Sequence, residues 1–139
     1  MSMRQPMMLI ALSALGACAS PLPPADPKQA WVDLYTMTPG RLIMADRLDG
    51  VRLDDGRYFQ VMPGKHELVV RFDYEVYSGG FTTDPTERTC YLTVRYDDFQ
   101  PGQRYRLEAR APVMQPTAYL YDAKRQLVVD EPSEVFCIP

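Results

Sequence analysis

A strict two-residue alternation over Lys65–Tyr77 constrains this chain more than any other feature. His66, Leu68, Val70, Phe72, Tyr74 and Val76 fall on one face, and Glu67, Val69, Arg71, Asp73, Glu75 and Tyr77 on the other. Successive side chains of a strand point to opposite faces, whereas a helix would scatter these apolar positions around its circumference. The pattern therefore predicts a strand with one face against a core. Thr89–Tyr96 repeats it with Cys90, Leu92, Val94 and Tyr96 inward. Arg104–Arg110 does so again, with Tyr105, Leu107 and Ala109 inward against Arg104, Arg106, Glu108 and Arg110.

Weaker runs over Trp31–Met37, Arg41–Arg47, Tyr58–Val61, Ala118–Tyr121, Leu127–Val129 and Val135–Ile138 are separated by turn pairs such as Asp49-Gly50, Asp55-Gly56, Pro63-Gly64, Gly79-Gly80 and Pro101-Gly102. Glycine in these pairs supplies backbone angles that other residues resist, and proline presets φ at the corner. Short strands at this spacing predict an all-β fold, a small antiparallel β-sandwich over residues 30–139. Only Asp122–Gln126 offers a single helical turn. With 139 residues, 46% of them hydrophobic, the chain suffices for one such domain.

The amino terminus carries an address. Arg4 precedes an apolar run from Met7 to Leu15, about half of the roughly 20 residues a membrane-crossing helix needs. This predicts a secretion signal over residues 1–17. Leu15-Gly16-Ala17-Cys18 resembles the lipobox of bacterial lipoproteins, in which a branched apolar residue and two small residues precede a cysteine. The resemblance implies cleavage before Cys18 and acylation of its thiol, with diacylglycerol and palmitate as the expected groups. Acyl chains contribute about 0.8 kcal/mol per buried methylene, so several would hold the protein to a membrane. Ala19 stands where many lipoproteins retained in the inner membrane have aspartate, which implies the outer membrane, on its periplasmic side.

Residues 18–29 then read as the lipidated cysteine and a proline-rich tether. Pro21, Pro23, Pro24 and Pro27 remove amide donors and hold φ near the polyproline value. Two readings are open: a stiff spacer reaching about 30 Å at about 3.1 Å per residue, or an ordered edge segment lying on the domain.

The 15 basic and 18 acidic residues leave a charge of −3, which argues against a surface that holds nucleic acid by counterion release. Leu48-Asp49-Gly50 followed by Val61-Met62-Pro63-Gly64-Lys65-His66-Glu67-Leu68-Val69-Val70 resembles the core of PEGA-type domains. Phe99-Gln100-Pro101-Gly102-Gln103-Arg104-Tyr105-Arg106-Leu107 resembles the later Pro-Gly turn and strand of many small envelope lipoproteins. The resemblance implies a transthyretin-like or immunoglobulin-like sandwich without catalysis, serving as a spacer or adhesion module. Cys90 and Cys137 form an even pair after export, and an oxidising compartment predicts a disulfide between them.

Candidate chemistry is sparse. His66 is the only histidine, and its place after Pro63-Gly64 at the start of a strand fits a structural role better than a catalytic one. Asp54-Asp55 and Asp97-Asp98 lack the alternating ligand pattern of a calcium loop and read as solvated turns. No enzyme, metal or cofactor is expected. Arg104, Arg106 and Arg110 share one strand face as an anion-binding stripe or as a charged exterior interrupted by Glu108. The loop over residues 77–88, with Tyr77 and Phe81, offers an apolar contact anchor. Tyr91, Tyr119 and Tyr121 offer an aromatic strip for peptide or sugar. The expected function is a non-enzymatic, lipid-anchored envelope protein that binds a protein or the cell wall. Its alternatives are a periplasmic inhibitor or chaperone-like accessory acting through the 77–88 loop, and a weak polysaccharide- or peptidoglycan-binding module.

Overall fold

The computed structural model describes residues 20–38, 40–77, 79 and 84–139. The expected signal over 1–17, the lipidation at Cys18 and the contact at Phe81 lie outside the described residues.

Among the described residues ten strands build the all-β sandwich. They are β1 (Ala30–Thr36), β2 (Leu42–Leu48), β3 (Val51–Arg52), β4 (Tyr58–Val61), β5 (Gly64–Val76), β6 (Thr86–Phe99), β7 (Arg104–Arg110), β8 (Thr117–Tyr121), β9 (Leu127–Val129) and β10 (Glu134–Cys137). One sheet has the order β4-β1-β7-β8-β9 and the other β10-β6-β5-β2-β3. The inward residues of β5 and β6 named above, His66 excepted, together with Phe99 meet those of β7 and Val32, Phe59, Val61, Ala118 and Leu120 across the sandwich; His66, expected on the core face, is not part of this core. Leu68, Val70, Phe72, Leu92, Val94 and Leu107 are wholly excluded from solvent, and full burial of such side chains stabilises by about 1.5–3 kcal/mol each.

Long-range pairing extends the strands beyond their sequence pattern. β6 runs to Phe99 because β5 pairs with it along its whole length, from Val76↔Thr86 to Gly64↔Phe99, with a bulge between Gly64 and His66. The bulge sits at the Pro63-Gly64 turn, where Gly64 has φ +107°, a conformation that a side chain would resist. Asp122–Gln126 is not a helical turn but the hairpin between β8 and β9. There the Asp122 carboxylate accepts the amides of Lys124 and Gln126 at 2.9 and 2.8 Å. Pro112–Met114 forms a tight turn between β7 and β8, with Val113 and Met114 at positive φ.

Among the described residues one ladder is parallel. β1 pairs with β7 from Trp31↔Arg104 to Thr36↔Ala109. A parallel pair needs a long crossover, and here β2–β6 supply it: the chain enters the other sheet at β2 and β3, returns to the first at β4, and crosses again through β5 and β6. Cys90 and Cys137 are facing partners of the β6–β10 ladder and are joined as a disulfide.

The proline-rich segment does not stand off as a spacer over residues 20–29. Arg57 Nη1 donates to the Ser20 carbonyl at 2.8 Å, the Asp26 amide donates to Gln60 Oε1 at 3.1 Å, and the Gly102 amide donates to the Gln29 carbonyl at 2.9 Å. Its prolines have no amide to leave unpaired, so the segment lies beside the edge strand β4 without joining the ladder. Edge strands are commonly protected from stray pairing in this way.

Candidate functional site

The outer face of the β4-β1-β7-β8-β9 sheet gathers most of the chemistry. Because β1 and β7 are in parallel register, the outward residues Trp31, Asp33 and Tyr35 stand beside Arg104, Arg106 and Glu108. On the other side β8 sets Tyr121 beside Arg106, Tyr119 beside Glu108 and Thr117 beside Arg110. Tyr58 of β4 stacks on Trp31, with ring centroids 4.3 Å apart and planes 8° from parallel.

Each guanidinium on this face has a distinct environment. Arg104 grips Asp33 with two hydrogen bonds, Nε to Oδ2 at 2.6 Å and Nη2 to Oδ1 at 2.9 Å, and lies 5.6 Å from the Trp31 ring centre. This grip, chiefly, holds the Asp33 carboxyl below its ordinary value; partial burial opposes it, and the Trp31 indole N–H, donating at 3.0 Å, adds to it. Arg110 donates to Glu108 Oε1 at 2.8 Å, an interaction that raises its own pKa, and sits over Tyr119 at 5.0 Å. Arg106 lies 3.7 Å above the Tyr35 ring, the favoured placement of a cation on an aromatic face. Its nearest carboxylate oxygen, Glu108 Oε2, is 3.6 Å away, beyond hydrogen-bond length. Among the described residues Arg106 therefore presents its N–H fork without a protein acceptor.

Glu108 is not the solvated exterior residue expected from its outward position. It is only 3% exposed, covered by Arg106 and Arg110. The buried carboxylate is compensated by a charge-assisted hydrogen bond from Arg110 and by the Arg106 charge 3.6 Å away.

An open cavity of about 510 Å³ lies over this face, lined by Asp33, Arg104, Arg106, Glu108, Tyr121 and the β8–β9 turn with Asp122 and Arg125. Its volume is within the range of small-ligand sites.

The three tyrosines expected to form one strip are divided. Tyr119 and Tyr121 belong to β8 on this face, whereas Tyr91 belongs to β6 and lines a concavity on the outer face of the opposite sheet, with Phe136, Glu67 and Arg52. Tyr77 is exposed at the far end of the β5–β6 hairpin, where its amide donates to the Met114 sulfur at 3.4 Å. Val113 beside it is 89% exposed with φ +49°, an unusual conformation for a β-branched residue. Trp31, Asp33, Tyr35, Val113 and Met114 were not legible as site residues. The outward alternation of Trp31, Asp33 and Tyr35 was the one available signal.

His66 serves as a clasp. Its Nδ1 lies 2.6 Å from Asp49 Oδ2 and its Nε2 lies 2.6 Å from the Met62 carbonyl. Asp49 Oδ1 also accepts the Glu67 amide at 2.8 Å. Burial acts most strongly on Asp49 and favours its neutral form, but these hydrogen bonds outweigh it and hold the carboxyl below its ordinary value. The clasp ties the β2–β3 turn to the start of β5. Asp55, one of the paired aspartates, is bound by Arg57 at 2.7 and 2.8 Å, and Asp97 and Asp98 lie within the end of β6. No group of three or more metal-ligating side chains occurs among the described residues.

No protein-family model matches the chain, and neither does any curated protein or solved structure.

Proposed function

We propose that this protein is a non-enzymatic, lipid-anchored module of the bacterial cell envelope, held at the periplasmic side of the outer membrane through Cys18. It binds another envelope component through the outer face of the β4-β1-β7-β8-β9 sheet. The observation that carries this reading is the Arg106 fork, over the Tyr35 ring and without a hydrogen-bond acceptor among the described residues, beside an open cavity. Surface arginines are ordinarily paired or solvated singly; an aromatic platform that orients one costs ordering entropy and favours a contact with something outside the chain. Engagement of both His66 ring nitrogens with Asp49 and Met62, away from this cavity, supports a role without acid–base catalysis.

The docked segment also bears on the anchor. Cys18 is two residues from Ser20, so an acylated Cys18 would lie within about 7 Å of the Ser20 backbone. The domain would then rest close to the lipid surface, on the side of β4.

The exposed Tyr77 and Val113 favour a second reading, an inhibitor or accessory protein that inserts the 77–88 end into a partner. The polysaccharide reading keeps only Tyr119 and Tyr121, one of them already covered by Arg110.

Intact-mass analysis of protein isolated from its native envelope, after photo-crosslinking from Tyr35, Tyr77 or Tyr91, tests these readings. We expect an acylated Cys18 and a stoichiometric adduct from Tyr35 alone. An unmodified chain beginning at Met1 would overturn the anchor. Adducts from Tyr77 or Tyr91 without one from Tyr35 would overturn the sheet-face reading.

A further inference from the structure

We infer that the cavity over β7 is a binding site for a monoanionic carboxylate, of the kind that ends a peptide chain, with Arg106 as its principal ligand and Arg125 as its second cation. The inference rests on the sheet-face reading and names its ligand chemistry.

The charges around the cavity resolve into pairs. Arg104 neutralises Asp33 through two hydrogen bonds, and Arg110 neutralises Glu108 through one. Asp122 spends one carboxylate oxygen on the amides of its own turn. Arg106, which shares the Glu108 carboxylate with Arg110 only at 3.6 Å, and Arg125 both line the cavity, and neither donates a side-chain hydrogen bond among the described residues. The six charged side chains that line the cavity sum to zero, and Arg110, bound to Glu108 from outside the lining, brings the surroundings to about one net positive charge, which matches a monoanion. A phosphate dianion would exceed that single positive charge, so the lining carboxylates would oppose it more strongly than they oppose a monoanion.

Geometry selects further. A planar guanidinium offers parallel N–H bonds that match a carboxylate edge. The Tyr35 ring covers one flat side of Arg106, which leaves its edge as the available donor surface. Glu108 is the nearest carboxylate but is drawn to Arg110, so it does not close that edge. The Tyr121 hydroxyl, which accepts from Arg110 Nη2 at 3.4 Å, keeps its own proton for a second ligand oxygen. Arg125 stands on the β8–β9 turn, where its backbone has φ +62° and its amide donates to the Asp122 carbonyl at 3.0 Å. That conformation sets the direction in which the Arg125 side chain leaves the turn, and the residue lines the cavity.

The probe is N-acetyl-alanyl-alanine, compared with its C-terminal amide, titrated into the full chain in detergent micelles while the arginine Nε–Hε resonances are followed by NMR. The free acid should shift the Arg106 resonance saturably and bind at least about tenfold more tightly than the amide. Arg106→Lys keeps the charge and loses the fork, so about tenfold of that affinity should go. Arg125→Ala should weaken binding severalfold, and Arg95→Gln, on the opposite sheet, should leave it unchanged. Equal binding of acid and amide, or an Arg106 resonance that never moves, overturns the inference. So does inorganic phosphate binding more tightly than the free acid. If Tyr35 crosslinks a partner while the free acid fails to bind, the sheet-face reading stands and the carboxylate falls. If the free acid binds and Tyr35 captures nothing, the pocket stands and the envelope partner falls.

Discussion

Breaking the Cys90–Cys137 bridge should cost much of the stability of this domain and should first be felt in β10. The bridge closes a loop with a sequence separation of 47, and the chain-entropy relation puts the unfolded-state constraint at about 14 cal/mol/K, or about 4 kcal/mol at 25 °C. For a domain of this size that corresponds to a fall of roughly 15–20 °C in melting temperature. β10 is poorly secured otherwise. Its ladder with β6 has four positions, flanked by the Ser133 amide to the Thr93 carbonyl and the Ile138 amide to the Thr89 carbonyl. Its Val135 and Phe136 and the following Ile138 remain largely exposed, Phe136 at 59%, so little apolar burial holds the strand down. The comparison is between oxidised protein and Cys137→Ser, both carrying Cys18→Ser so that no third thiol exchanges. Urea denaturation would measure the global loss, and amide exchange would follow β10 and the β5–β6 ladder separately. We expect β10 amides to lose protection while β5 and the central part of β6 keep theirs. A variant within about 1 kcal/mol of the oxidised protein, with β10 still protected, would refute the reasoning: the strand would then be held by its own hydrogen bonds.

Four further outcomes follow from the same geometry. Leu120→Ala, at a fully buried position between the sheets, should destabilise by about 3 kcal/mol in urea titration, because the cavity adds to the lost transfer energy. Arg104→Gln should remove an acid-sensitive component of stability. The folded-state pKa of Asp33 lies below its ordinary value of 3.8, so this contribution is fully present above about pH 4 and is lost as pH falls through the depressed value. Melting temperature between pH 2 and 5 should fall less steeply in the variant. Asp49→Ala removes the acceptor shared by His66 and the Glu67 amide and should cost about 1–2 kcal/mol, read as a shifted urea midpoint. The double variant Arg57→Ala/Gln60→Ala should leave the urea midpoint nearly unchanged, since the Arg57 contact is exposed and the Gln60 contact is a single neutral hydrogen bond. It should nevertheless accelerate hydrogen exchange at the Asp26 amide, which loses its acceptor.

The strand faces were readable in advance because each is a local property. Val70 and Phe72 point inward while Arg71 points outward for the same steric reason wherever a strand lies, so alternation in Lys65–Tyr77 identified the core residues of β5. The cysteine pair was readable from parity and export chemistry, and Cys90 and Cys137 are bridged. Where the chemistry depends on neighbours, reading failed. Tyr91, Tyr119 and Tyr121 have the same outward pattern, yet β6 and β8 belong to different sheets, and nothing within either strand says so. Glu108 alternates with arginines as an exterior residue would, but the adjacent guanidiniums bury it. The segment over 20–29 has the composition of a free spacer, and only Arg57, Gln60 and Gly102, distant in sequence, hold it down.

The sequence by itself determined that this protein is all β, which side of each principal strand faces inward, and which cysteines join. Backbone sterics and apolar burial act over two or three residues and leave a periodic trace. Only the tertiary structure decided that β1 lies parallel to β7, and with it the meeting of Tyr35, Arg106 and Glu108 on one surface. That pairing joins residues some seventy positions apart. It is selected by closure of two sheets over a shared core, a condition on the whole chain that no local pattern records.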